Sequence, residues 1–334
     1  MRLRERPRLM LAGLMCFTLL LMLGAANMGA LTLSLRQLWH APLSDPLWHI
    51  WLNIRLPRVM LALLVGSALA AAGAVMQGLF RNPLADPGLL GISSGAALFV
   101  AFALLMPLGL PPLLALYSPM LAAFAGSLAV TAILFMLGRD ERGGVTRLLL
   151  TGIALNALCG AAVGVLTYIS NDQQLRQFSL WGMGSLGQAQ WPVLLVAASL
   201  IVPAMVGVQC YARKLNLLQL GDEDAHYLGV KVKQTKLILL LLSALLVGTA
   251  VAVSGVIAFI GLVIPHLVRM NLSADHRWLL PGSALAGAGL LIAADTLART
   301  LLAPAEMPVG LLTSLIGGPY FLWLIVTHKG RTHD

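Results

Sequence analysis

The sequence predicts an all-α fold, a polytopic membrane protein with about ten transmembrane helices. Three observations carry that reading. Apolar residues make up 59% of the chain and charged residues 10%, with a mean hydropathy of +0.87; soluble globular proteins carry about a quarter charged residues. The apolar residues fall into stretches close to the roughly 20 residues a helix needs to cross a bilayer. The basic residues are unevenly distributed between the connections, as membrane proteins require.

The first stretch, Leu9 to Ala30, follows the basic MRLRERPR. At about 22 residues it is too long for most signal-peptide cores, and it reads as an uncleaved first span. Residues 31–56 are more polar and hold Trp39, Trp48 and Trp51, which suit the headgroup zone; an interfacial helix is expected near Leu47 to Leu56. Further spans are expected at 57–80, 90–107, 113–137, 145–170, 190–212, 234–254, a short one at 257–270, then 278–301 and 306–327. With the N-terminus inside, only Arg36, Arg55, Arg58, Arg176 and Arg299 of the 22 basic residues face outward. A missed span would invert every later connection, so this asymmetry supports both span count and orientation, with both termini cytoplasmic. The formal charge of +9 therefore reflects membrane topology rather than affinity for nucleic acid.

Within the spans, small residues cluster in SALAAAGAVMQG (67–78) and GSALAGAGLLIAAD (282–295), faces that let helix backbones approach closely. Asp86-Pro87 reads as a helix start. Pro265 and Pro319 fall inside apolar segments and are expected to interrupt or kink them.

One connection is patterned differently. In LNLLQLGDEDAHYLGV, Leu215, Asn216, Leu217, Leu218 and Leu220 precede Gly221, and a second short pattern, Asp222, Glu223, Asp224, Ala225 through Leu228, stops at Gly229. Two glycine-terminated helices are expected, the acids complementing the start of the second. A solvated linker is the plainer alternative; two helix stops in sixteen residues favour a built structure that seats against something.

Other groups are absent. None of Lys214, Lys231, Lys233, Lys236 and Lys329 follows a glycine, so the chain has no Walker A loop, and no metalloprotease or hydrolase motif is present. Cys16, Cys159 and Cys210 lie in apolar segments without paired spacing, suggesting neither a disulfide nor a metal site. The chain reads as a non-enzyme that binds no cofactor of its own. Asp295 and Arg299 are four apart on one helix face and can pair, and Glu306 begins the last span. A carrier driven by protons through Asp295 or Glu306 is one reading of these acids.

RLPR (55–58), Gln77 with FRNPLADPGLLGISSGA, LNLLQLGDEDAHYLGV, GVIAFIGLVIPHLVR, ADTLAR and EMPVGLLTSLIGGPYF follow one another along nearly the whole chain. Together they resemble the permease subunits of the ATP-driven importers for iron-siderophores, haem and vitamin B12, FecCD-like permeases of type II importers. Within these the chain is most similar to haemin permeases of Gram-negative bacteria. The resemblance implies one permease domain over 1–334 in the bacterial inner membrane. It also implies a homodimer, two cytoplasmic ABC ATPase subunits that bind ATP and Mg, and a periplasmic substrate-binding protein. The coupling helices would lie within 215–230. The cargo, most simply haem, otherwise a siderophore or cobalamin, would pass along the dimer axis between spans five and ten. The cytoplasmic gate maps to Asn82, Leu84, Val145 and Thr146; relatives carry a second small hydroxyl residue where Val145 stands. Leu149, Thr151, Ala154, Leu155 and Leu158 would give span five an apolar lining without fixed iron ligands. Arg55, Arg58 and Arg299, three of the few outward basic residues, are expected to hold acidic residues of the binding protein, since a planar guanidinium grips a carboxylate by two hydrogen bonds.

Overall fold

The computed structural model describes residues 7–29, 42, 45–106, 109, 111–137, 144–303 and 305–328. They form the helices α1 (Pro7–Asn27), α2 (Pro46–Leu79), α3 (Ile92–Leu105), α4 (Pro112–Leu137), α5 (Gly144–Ile169), α6 (Asp172–Gly182) and α7 (Trp191–Cys210). After these come α8 (Ala212–Leu218), α9 (Asp222–Tyr227), α10 (Val232–Ser254), α11 (Ile260–Asn271), α12 (His276–Thr300) and α13 (Val309–His328). Each expected span coincides with a helix; α6, α8 and α9 are the additional, more polar ones. Seven of these helices, α1, α2, α4, α5, α7, α10 and α12, are individually long and apolar enough to cross a membrane, whereas α3, α11 and α13 are shorter or less uniformly apolar. The chain is a multi-pass membrane protein.

The interior is built from α2, α10 and α12, whose most apolar windows are 78%, 67% and 72% buried, against 17% for α1 and 11% for α5. Small residues decide this. A methyl group on Gly66 would run into the carbonyl of Gly287, and one on Gly73 into the carbonyl of Gly261. Without a hydrophobic force between helices in lipid, such backbone approach is what drives packing. Gly66 and Gly287 hold α2 and α12 antiparallel, so Arg58 and Arg299 lie at one end of the bundle and Gly78 and His276 at the other.

Three local expectations are corrected. The helix expected near 47–56 is present, but it runs through one turn of π-helix, Trp51–Arg55, directly into the next helix, so α2 is one 34-residue element. Asp86-Pro87 opens only a four-residue 3-10 turn, Pro87–Leu90; the span starts at Ile92 after Gly91, whose φ of 82° breaks the two apart. Pro265 and Pro319 do not interrupt their segments, since both helices continue through them. A proline there removes one backbone hydrogen bond, and neighbouring helices compensate inside a bundle.

Candidate functional site

At the Gly78 end, the patterned connection forms the two expected helices, though the first begins at Ala212, almost continuous with α7. Leu215 and Leu218 are fully buried beneath α8, Leu215 against Gly78. Leu217 is half-buried. Asn216 clamps the start of α12: its Oδ1 accepts from the His276 backbone N–H at 2.9 Å and lies 2.7 Å from the His276 ring Nδ1. Its Nδ2 donates to Asp275 Oδ1 at 2.6 Å. Asp275 caps α12 through the Arg277 N–H and is forked by the Arg277 guanidinium. Those hydrogen bonds hold its pKa down at about 2. A depressed carboxylate stabilises the fold above its unfolded pKa of about 3.9, and the contribution is lost as pH falls towards 2. Gln219 Nε2 donates to the Gly78 carbonyl at 2.6 Å.

Gly221 separates the two helices with φ 131° and ψ 158°, and Gly229 ends the second at φ 85°. In α9 Ala225 is buried, Glu223 and Asp224 face outward, and Asp222 joins Arg81 at 2.6 Å and Lys236 at 2.5 Å. Leu220, Tyr227 and Leu228 are 59%, 85% and 57% exposed. The result is a short apolar patch beside an acidic edge, mounted on a buried anchor, able to seat against a second protein.

Next to it lies the turn after α2. Asn82 Oδ1 accepts from the Leu84 N–H at 2.9 Å, and both side chains are exposed. Asn156 of α5 ties the following segment, donating to the Gly88 carbonyl at 3.2 Å and meeting the Ser94 hydroxyl at 2.6 Å. Val145 and Thr146 lie in the first turn of α5, and their side chains fall outside the described residues.

The opposite end holds the three arginines, and all are buried, at 5%, 8% and 5% exposure for Arg55, Arg58 and Arg299. Arg58 grips Asp295 with Nε at 3.1 Å from both oxygens and Nη2 at 3.0 Å, while its Nη1 reaches Glu306 at 2.8 Å. Arg299 Nε lies 3.1 Å from Asp295 Oδ2, and its Nη groups reach the carbonyls of Ala25 and Met28. Arg55 donates to the carbonyls of Ala26 and Asn27 at 3.3 and 2.8 Å, closing the end of α1. The expected i,i+4 pair is therefore part of a larger cluster, and the guanidinium forks expected to await an external carboxylate are occupied from within. Glu306, half exposed, is where the cluster opens to the surface.

Sequence reasoning did not single out Asp275, His276 or α6 as structural parts. Signals existed: Asp275 immediately precedes an apolar helix, and Asn171 with Gln174 form a capping box at the start of α6. The bond from Arg81 to Asp222 spans 141 residues and has no local signature.

The match to known proteins runs the length of the chain. It is 71% identical to the hemin transport system permease protein HmuU of Yersinia pestis over 326 residues, covering 98% of each. It is 41% identical to the vitamin B12 import system permease protein BtuC of Serratia proteamaculans (strain 568), covering 93% of this chain and 92% of the relative. A solved structure described as an inward-facing conformation of a metal-chelate type ABC transporter superposes with a TM-score of 0.86 at 34% identity, covering 95% of this chain and 99% of that one. The FecCD transport family matches residues 14–327, and the chain belongs to that family.

Proposed function

We propose that this chain is the permease subunit of an ATP-driven importer that moves haem from periplasm to cytoplasm. The observation that carries the proposal is the 71% identity, over nearly the full length, to a hemin permease, against 41% to vitamin B12 permeases. In this reading two copies of the chain form the pore in the bacterial inner membrane. The α8–α9 end faces the cytoplasm, with both termini on that side, and the arginine cluster faces the periplasm. Leu220, Tyr227 and Leu228 with the acidic edge of α9 seat on an ATPase subunit, which supplies ATP and Mg. Asn82, Leu84, Val145 and Thr146 form the gate. The cargo path runs along α5, whose surface is largely uncovered in the single chain, with Ile153 and Leu158 exposed.

The binding protein docks over the arginine cluster, where three arginines outnumber Asp295 and Glu306 by one charge and an incoming acid competes with Glu306 for Arg58. Proton-coupled transport through Asp295 fits less well, because both of its oxygens are already held by guanidinium groups. The test is ATP-dependent uptake into proteoliposomes holding the permease, its ATPase and its binding protein, with haem, a ferric siderophore and cobalamin offered in parallel. Haem alone should accumulate; uptake of cobalamin or the siderophore but not haem overturns the cargo assignment.

A further inference from the structure

Arg81 stands at a junction that the permease reading leaves unused. It is the first residue of the turn carrying Asn82 and Leu84, and its φ of 49° places a non-glycine residue in the left-handed region, an uncommon conformation. The turn is fastened to the end of α2, the Arg81 N–H donating to the Gly78 carbonyl and the Asn82 N–H to that of Gln77, at 3.3 and 3.2 Å, and it closes on itself where the Ala85 N–H donates to Asn82 at 3.1 Å. Asn82 Oδ1 closes it on the Leu84 N–H. The Arg81 side chain leaves it and reaches Asp222 Oδ1 at 2.6 Å, while Lys236 holds the other oxygen of Asp222 at 2.5 Å.

Asp222 is the first residue of α9, directly after the Gly221 break. The other ties of this connection leave from the anchored α8 side: Asn216 to α12, and Gln219 to the Gly78 carbonyl that also accepts from the Arg81 N–H. Among the side-chain hydrogen bonds described, the Arg81–Asp222 bridge is what joins α9 to the turn. Both partners are more than a third exposed, at 40% and 47%. Such a pair contributes little to folding, so its consequence lies in position.

We infer that Arg81 is a positioning residue that carries movement of α9 to the Asn82–Leu84 turn through Asp222, so that displacement of α9 by the ATPase moves the gate. This rests on the permease reading above. Lys236 keeps Asp222 in place when Arg81 is changed, so the link can be cut without dismantling α9.

The experiment measures substrate moved per ATP hydrolysed, with complex assembly checked separately, in proteoliposomes holding the full complex and loaded with haem, cobalamin or a ferric siderophore. Arg81→Gln is expected to lower that ratio about fivefold, within the range known for coupling residues, while Arg81→Lys stays within about twofold of the unmodified protein. In an Asp222→Asn background, Arg81→Gln should add nothing further, because the residue acts through that carboxylate. An unchanged ratio in Arg81→Gln overturns the inference. So does a parallel fall of uptake and hydrolysis, which marks a purely structural role, or a further loss in the Asp222→Asn background. If the unmodified complex transports none of the three substrates, the permease reading fails instead, and the two failures are told apart by that control.

Discussion

Asp295 is a carboxylate near the end of an apolar helix, almost fully buried, and it persists because two guanidinium groups saturate it. Half of that arrangement was legible in the sequence. The four-residue spacing to Arg299 places both on one face, whereas Arg58 lies 237 residues away and only the antiparallel packing of α2 on α12 brings it there. The same packing explains why the arginines, expected as surface groups from their rarity on one side, are interior ones. A buried ion group is costly to break even where it adds little net stability. Asp295→Ala leaves Arg58 and Arg299 facing each other without a shared counter-charge and should destabilise the protein by roughly 3–5 kcal/mol. A thermal melt of the purified variant in detergent that matched the unmodified protein would sink this account.

Among the elements, those legible in the sequence are those whose signal is local. Hydropathy located a helix at each expected span, seven of them long and apolar enough to cross a membrane, and Gly221 and Gly229 mark the ends of two short helices in the sequence itself. What was missed depends on contacts across the chain or on weak polarity. α6 is polar and lacks the length of a span, and the fusion of the 46–50 helix with α2 follows from a π turn that no residue announces. The backbone of Gly221 lies in a region that only glycine occupies without strain, and its Cβ position is open apart from the Asp224 carboxylate at 3.6 Å. Gly221→Val therefore costs about 1–3 kcal/mol in backbone strain rather than through a clash. Because α8 is anchored independently by Leu215, Leu218 and Asn216, the bundle should stay folded while α9 changes direction. The expected outcome is a folded permease with reduced stimulation of its ATPase and reduced uptake; normal values for both would remove the coupling role from this connection.

For the whole molecule, the two ends of the bundle differ in kind. One presents exposed apolar and acidic side chains on short helices held by a buried anchor. At the other the three arginines point inward, and of the acids in their cluster Glu306 is the one that is half exposed, at the rim. A binding protein offering a carboxylate there has to take Arg58 Nη1 from Glu306, because Nε and Nη2 are committed to Asp295. Charge reversal at Arg58 would destroy the cluster along with any docking site, so the informative change is at the competitor. Glu306→Gln removes one negative charge from the rim and weakens the internal partner of Nη1, leaving the Arg58–Asp295 fork intact. Glu306 is half open to solvent, which holds the worth of its pair with the buried Arg58 to about 1 kcal/mol, so affinity for the binding protein should rise by roughly two- to fivefold. The gain should shrink at high salt, since screening acts on charges at the rim more than on buried ones. Binding measured at low and high ionic strength on assembled complexes decides it: affinity that is unchanged or weaker in Glu306→Gln means that the incoming protein does not compete for Arg58, and the docking surface lies elsewhere on this end.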